Sequence, residues 1–187
     1  HTRSLCDWSS DVCSSDLANC LPIREAEWFW PPGNRGLRPL CNRGANGIDG
    51  TLSTALGVAH GGLPTVLLSG DLALLHDTNG WLSLPWLAGH LTVVVINNQG
   101  GGIFQTLPIA QFEPPFEQFF AMPQQVDWNH LCAAYGVSYE QVTRWDQLRT
   151  CLTFLPDRGA RVLELRCDRQ RDQLWRQQLL AGSDSHT

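Results

Sequence analysis

The sequence predicts an α/β domain: a doubly wound, mostly parallel sheet with helices on both faces. Three observations predict it. Apolar runs at 64–69 and 91–96 are rich in Leu and β-branched residues and end in glycine or Asn-Asn, as strands buried on both faces do. Segments of helical period alternate with these and later strand-like runs. The 24 residues at 73–96 suffice for a helical crossover between neighbouring parallel strands.

Taken in order, 21–38 is rich in Pro, Trp and Gly and reads as irregular, with 37–41 a short strand. A glycine-rich turn, 42–50, precedes a helix at 51–60, whose small residues suit close packing on a sheet. After the strand at 64–69, a helix at 78–88 is interrupted near Pro85, and 91–96 is the next strand. Further on, 128–135 reads as a helix, 137–142 as a strand, 146–154 as a helix and 160–166 as a strand. An amphipathic helix at 168–180 follows.

With 187 residues, 43% hydrophobic and 17% charged, the chain can bury a sizeable core. A net charge of −5 disfavours a generic nucleic-acid or anionic-membrane binder. No apolar run approaches bilayer length. All 13 basic residues are Arg, which excludes a Schiff-base lysine and a Walker-A phosphate loop. Seven cysteines at 6, 13, 20, 41, 132, 151 and 167 form no C-x-x-C pair, so they read as free, mostly buried thiols in a reducing compartment.

Residues 1–17 stand apart. The string from Cys6 to Leu17 reads as the one-frame translation of a common sequencing-adapter oligonucleotide, and it has neither helical nor strand periodicity. The expectation is an artefactual, disordered leader over 1–17 and a domain over 18–187. Because the chain starts at His1, it is expected to be a fragment or a processed product.

The chemistry gathers at two strand ends. Gly70-Asp71 closes one buried run and Asn97-Asn98 the next, followed by Gly100-Gly101-Gly102. Parallel strands bring both ends to one rim, where α/β sheets bind ligands. A carboxylate and amide oxygens suit Mg²⁺, whose shell substrate phosphates commonly complete. Glycines lacking Cβ let backbone approach those phosphates. Taken singly, Asp71 also fits a helix cap, and Asn97-Asn98 a turn.

Gly70-Asp71-Leu72 followed by Asn97-Asn98 resembles the diphosphate-binding motif of thiamine diphosphate enzymes, with Leu72 where a third glycine is usual. Three longer strings, 42–55, 70–80 and 97–104, resemble the 2-succinyl-5-enolpyruvyl-6-hydroxy-3-cyclohexene-1-carboxylate synthases of menaquinone or phylloquinone biosynthesis, over about 19–180. The resemblance implies a C-terminal, PP-type cofactor domain of a transferase (EC 2.2.1 type) that uses thiamine diphosphate with Mg or Mn. That enzyme decarboxylates 2-oxoglutarate and adds the resulting acyl group to isochorismate. It is cytoplasmic and a dimer or tetramer. The alternatives are an acetolactate synthase or oxo-acid decarboxylase, or a non-catalytic diphosphate-binding module.

Residue by residue, the resemblance implies that Asp71, Asn98 and the Gly100 carbonyl hold the metal. Gly47, Ile48, Gly70, Leu72, Gly101 and Ile103 complete the cofactor site, with Ile48 propping the bent cofactor. Asn19, Cys20, Arg24, Arg43, Ile103, Phe104 and Leu107 face the substrates, Cys20 standing where the family usually has Ser. Paired arginines suit poly-anionic substrates through bidentate carboxylate pairing. The activating glutamate is expected on a separate pyrimidine-binding domain, so no catalytic residue is assigned here and this piece alone is expected to be inactive. Glu25 and Glu27 are read as lying in the irregular entry segment, Glu113 and Glu117 in a Pro- and Phe-rich loop, and Glu140 and Glu164 in later sheet elements away from the motif; none is expected to supply that acid. An apolar rim at Ile48, Ile103 and Phe104 is expected to be exposed.

Overall fold

The computed structural model describes residues 13–18, 20–33, 36–42 and 47–183. Six strands form one sheet: β1 (Cys13–Leu17), β2 (Leu37–Cys41), β3 (Thr65–Gly70), β4 (His90–Asn97), β5 (Ser138–Val142) and β6 (Gly159–Arg166). Their spatial order is β2-β1-β3-β4-β6-β5, and every pairing is parallel. The expected mostly parallel sheet is therefore parallel throughout.

Helices cover both faces: α1 (Leu21–Phe29), α2 (Thr51–His60), α3 (Asp71–His76), α4 (Trp128–Ala134), α5 (Trp145–Thr153) and α6 (Arg169–Ser183). Alternation along β4 divides the core. Leu91, Val93 and Val95 face Leu52, Ala55 and Leu56 of α2, and Trp128 and Cys132 of α4. Val94, with Val66 and Leu163, faces Leu148 and Leu152 of α5. An ion pair at 3.1 Å, Arg176 Nε to Glu25 Oε1, ties α6 to α1.

Cys13–Leu17, at the end of the expected leader, forms strand β1. It lies between β2 and β3, with Asp16 and Leu17 buried. Its Ser/Asp composition gives no strand signal. Two flanking backbone edges supply a ladder that any side chain can join, so tertiary context overrides propensity. Residues 1–12 of the expected leader lie outside the described residues. Asp16 is 1% exposed, and neither carboxyl oxygen has a well-formed hydrogen bond among the described residues. Burial pushes its pKa up to about 6, and the nearby Leu17 N–H offsets this only in part.

Residues 21–29, read as irregular, form α1. Pro22 stands in the first turn, where a missing N–H breaks no helical bond. A second helix missed in the sequence, α3, starts at Asp71 directly after β3, and Thr78–Trp86 is a 3₁₀ segment containing Pro85. Pro39 sits in edge strand β2, where a lost donor is tolerated.

Candidate functional site

After β1 the chain turns to β2, and after β3 to β4, on opposite sides of the sheet. Neighbours β1 and β3 therefore flank a topological switch point, the place where such sheets open a crevice. Ala18 and Cys20 follow β1, and Asp71 follows β3. The parallel order also brings 47–50 and Asn97–Gly102 to this rim.

Asp71 is 3% exposed. Its Oδ1 accepts the Leu72 N–H at 2.9 Å and its Oδ2 the Gly100 N–H at 2.8 Å. Burial raises its pKa, opposed first by these N–H groups and then by the charge of Arg169. Asn98 is buried, and its Oδ1 has no hydrogen-bond partner among the described residues. A buried amide oxygen without a donor is one that a cation can satisfy. Gly100 carries φ +129°, and its carbonyl accepts the Gly102 N–H at 2.9 Å, leaving a lone pair. A buried carboxylate, an orphaned amide oxygen and a backbone carbonyl form a hard-oxygen set that fits Mg²⁺ or Mn²⁺. Among the described residues no cluster of three His, Cys, Asp or Glu offers a competing metal site.

The glycine run has a second reason besides phosphate approach. A Cβ on Gly100 would stand 2.1 Å from the Ala121 carbonyl oxygen, and one on Gly101 2.4 Å from that of Phe120. The Gly101 N–H donates to the Ala121 carbonyl at 2.7 Å. The turn is thus laid against the segment Glu117–Ala121.

Gly70 is half-buried. A Cβ there would meet Cys20 Sγ at 3.3 Å, so Cys20 lies beside the Gly70-Asp71 pair, as expected. Burial pushes the Cys20 thiol up to about 11, with the Asp71 charge acting in the same direction, so it stands protonated and is no nucleophile. Ile48 is half-buried, its carbonyl accepting the Thr51 hydroxyl at 3.1 Å, and Gly47 precedes it. Leu72 is half-buried on α3. Arg24 sits on α1 and is paired with Glu27 at 2.9 Å, so a substrate carboxylate would have to displace Glu27. Asn19 and Arg43 lie outside the described residues.

The expected exposed apolar rim is largely covered. Ile48 and Ile103 are half-buried, and Phe104 meets Phe120 edge-on at 5.8 Å, with Phe116 stacked on Phe120. Leu107 remains 48% exposed. Larger apolar exposure lies at Trp28, Phe29 and Trp30, and at Phe112, Phe119 and Met122. The thiols are less buried than read: of Cys20, Cys41, Cys132, Cys151 and Cys167 only Cys132 is buried, and Cys41 and Cys167 are exposed.

Glu164, read as remote, touches the motif directly, and Glu117 is linked to it through Arg169. Glu164 Oε1 accepts the Asn97 Nδ2 donor at 2.6 Å. Glu117 pairs with Arg169, whose Nη1 donates to the Gln99 carbonyl at 3.1 Å. A glutamate within a β-run carries no sequence signal for this contact, because register across β4 and β6 creates it.

The chain is 58% identical over 160 residues to the 2-succinyl-5-enolpyruvyl-6-hydroxy-3-cyclohexene-1-carboxylate synthase of Trichodesmium erythraeum, covering 86% of this chain and 28% of that protein. It is 55% identical over 174 residues to the synthase of the same name in Thermosynechococcus vestitus, covering 93% and 31%. Over this stretch the chain is a relative of these synthases. It spans less than a third of their length. No family model matches.

Among solved structures, benzoylformate decarboxylase from Polynucleobacter necessarius shares the fold, with TM-score 0.65 at 19% identity over 86% of this chain and 31% of its own. A Mycobacterium smegmatis protein described as a candidate thiamin diphosphate-dependent enzyme aligns with TM-score 0.59 at 18% identity, over 86% and 29%. The α/β fold expected from the motif resemblance is thus the one observed. Among the described residues, no helix is long and apolar enough to cross a membrane.

Proposed function

We propose that the chain is the cofactor-binding part of a thiamine diphosphate- and Mg²⁺-dependent transferase that acts on 2-oxoglutarate and isochorismate. The observation that carries this reading is the orphaned Asn98 Oδ1, buried beside a turn whose Gly100 N–H is anchored on Asp71. The 58% identity to a synthase of that name supports the substrate assignment. Asp71 supplies the negative charge for the metal, with Asn98 Oδ1 and the Gly100 carbonyl as further oxygens. Gly70, Leu72 and Gly101 bring backbone to the diphosphate. Gly47 and Ile48 orient the cofactor rings, and Ile103, Phe104 and Leu107 line the reacting end. Once bound, the cofactor supplies the electron sink for carbon–carbon chemistry, which the protein positions and activates. Arg43 and Arg24, with Asn19 and Cys20, receive the substrate carboxylates. A cytoplasmic homo-oligomer is part of this reading.

The test is calorimetry on the full-length protein with thiamine diphosphate, with and without Mg²⁺, and with ADP as competitor. Metal-dependent binding of thiamine diphosphate, lost in Asp71→Asn while the fold survives, is expected. Unchanged binding in that variant, or equal binding of ADP, refutes the site. Turnover of pyruvate in preference to 2-oxoglutarate refutes the substrate assignment and leaves the cofactor site standing.

A further inference from the structure

Asn97, the first residue of the Asn-Asn pair, donates nothing to the oxygen set described above. Its amide is instead held from within the sheet. Glu164 on β6 is 0% exposed and has three donors around it: Asn97 Nδ2 at 2.6 Å, the Tyr139 hydroxyl at 2.5 Å and Arg166 Nε at 3.1 Å. A carboxyl group this deeply buried stands only where its lone pairs are met. With its Nδ2 fixed, Asn97 points Oδ1 at the Gln99 N–H, 3.2 Å away.

Gln99 is the strained residue of the turn. Its φ is +57°, a left-handed conformation that non-glycine residues adopt only when their surroundings enforce it. The enforcement acts on both ends of the residue. Asn97 Oδ1 accepts its N–H, and its carbonyl accepts a hydrogen bond from Arg169 Nη1 at 3.1 Å. The next N–H, that of Gly100, then meets Asp71 Oδ2 at 2.8 Å. A continuous chain of hydrogen bonds therefore runs from Tyr139 through Glu164, Asn97 and Gln99 to the metal-binding turn.

We infer that Glu164 is a positioning residue for the metal site, acting through Asn97 to hold Gln99 left-handed and so aim Asn98 and the Gly100 carbonyl at the cation. This rests on the cofactor reading above. Groups that orient metal ligands from behind typically change metal affinity about tenfold to a hundredfold when removed. Glu164 is not an alternative activating acid, because its oxygens are fully engaged and shielded from the rim.

The test is Mn²⁺ affinity in the presence of thiamine diphosphate, read by electron paramagnetic resonance of the full-length protein, beside its urea unfolding midpoint. Glu164→Leu and Asn97→Ala are each expected to weaken Mn²⁺ about tenfold or more. Glu164→Gln keeps an oxygen for Asn97, and Tyr139→Phe leaves the Glu164–Asn97 bond intact, so both should bind Mn²⁺ close to the parent. If Glu164→Leu does not fold, Asn97→Ala decides. Parent-like Mn²⁺ affinity in Asn97→Ala overturns the inference, and a fall in the unfolding midpoint alone makes Glu164 merely structural. Asp71→Asn is run in parallel: if it too binds Mn²⁺ like the parent, the cofactor reading itself fails.

Discussion

Replacing Asp16 by Leu should stabilise the protein, and the gain should depend on pH. Asp16 sits in β1 between two strands, 1% exposed, without a well-formed partner among the described residues. Its pKa is raised from the ordinary 3.8 to about 6. Holding the charged form in the fold at neutral pH therefore costs about 3 kcal/mol. The sign follows from proton binding. Between pH 4 and 6 the folded state holds the Asp16 proton more tightly than the unfolded chain, so this residue's contribution to stability falls as pH rises through that window and is flat above it. Asp16→Leu removes the effect. The variant should exceed the parent by about 3 kcal/mol at pH 7.5, or about 6–12 °C in midpoint for a chain of this size. By pH 3.5 the electrostatic part of the advantage should vanish, leaving the packing difference. Asp71, Glu25 and Asp172 also have raised pKa values, so the parent-minus-variant difference is the quantity to follow. Urea unfolding at both pH values measures it. A gain of equal size at pH 3.5 and 7.5, or no gain, refutes the argument that an uncompensated charge is buried there.

Gly100→Ala forces a Cβ to 2.1 Å from the Ala121 carbonyl at φ +129°, so it should lower stability by roughly 1–3 kcal/mol and weaken metal-dependent cofactor binding together, read by urea unfolding and calorimetry. In the full-length protein, Arg43→Ala should lose a charge-assisted pair worth ~1.5–3 kcal/mol in kcat/KM for 2-oxoglutarate, with cofactor affinity little changed. Collapse of cofactor binding with selectivity intact would make Arg43 structural. The 187-residue chain by itself should release no CO₂ from 2-oxoglutarate, because none of its described glutamates faces the rim as a free acid; sustained release by a homogeneous preparation would contradict this.

Most strands and helices were legible because burial writes periodicity into the sequence. The runs around β3 and β4 alternate between two core faces and are almost wholly apolar. The Gly70-Asp71 and Asn97-Asn98 pairs stand at their ends, where the buried strands stop and polar side chains can reach the rim. Legibility failed where a segment's structure comes from its neighbours. Cys-Ser-Ser-Asp-Leu is a strand because β2 and β3 flank it, and no propensity of its own asks for that. The prolines, tryptophans and glycines of 21–38 make that whole stretch read as irregular, although Pro22 in a first turn is compatible with the helix Leu21–Phe29.

The same distinction applies inside the site. Asp71 and Asn98, the proposed metal ligands, carry their own signal, a side-chain oxygen at the end of a buried strand with glycine close by in the sequence. The support behind them does not. Glu164 sits between Leu163 and Leu165 in β6, and only the register that pairs Val95 with Glu164 and Asn97 with Arg166 turns it toward the Asn97 amide. In the sequence Gly100 and Gly101 read as concessions to a phosphate, yet the carbonyls of Ala121 and Phe120 already forbid a Cβ at either position. A residue that touches the ligand has to have ligand chemistry and can be found by type. A residue that aims it needs only the right neighbour across a strand or loop, so its identity becomes readable once the fold has supplied that neighbour.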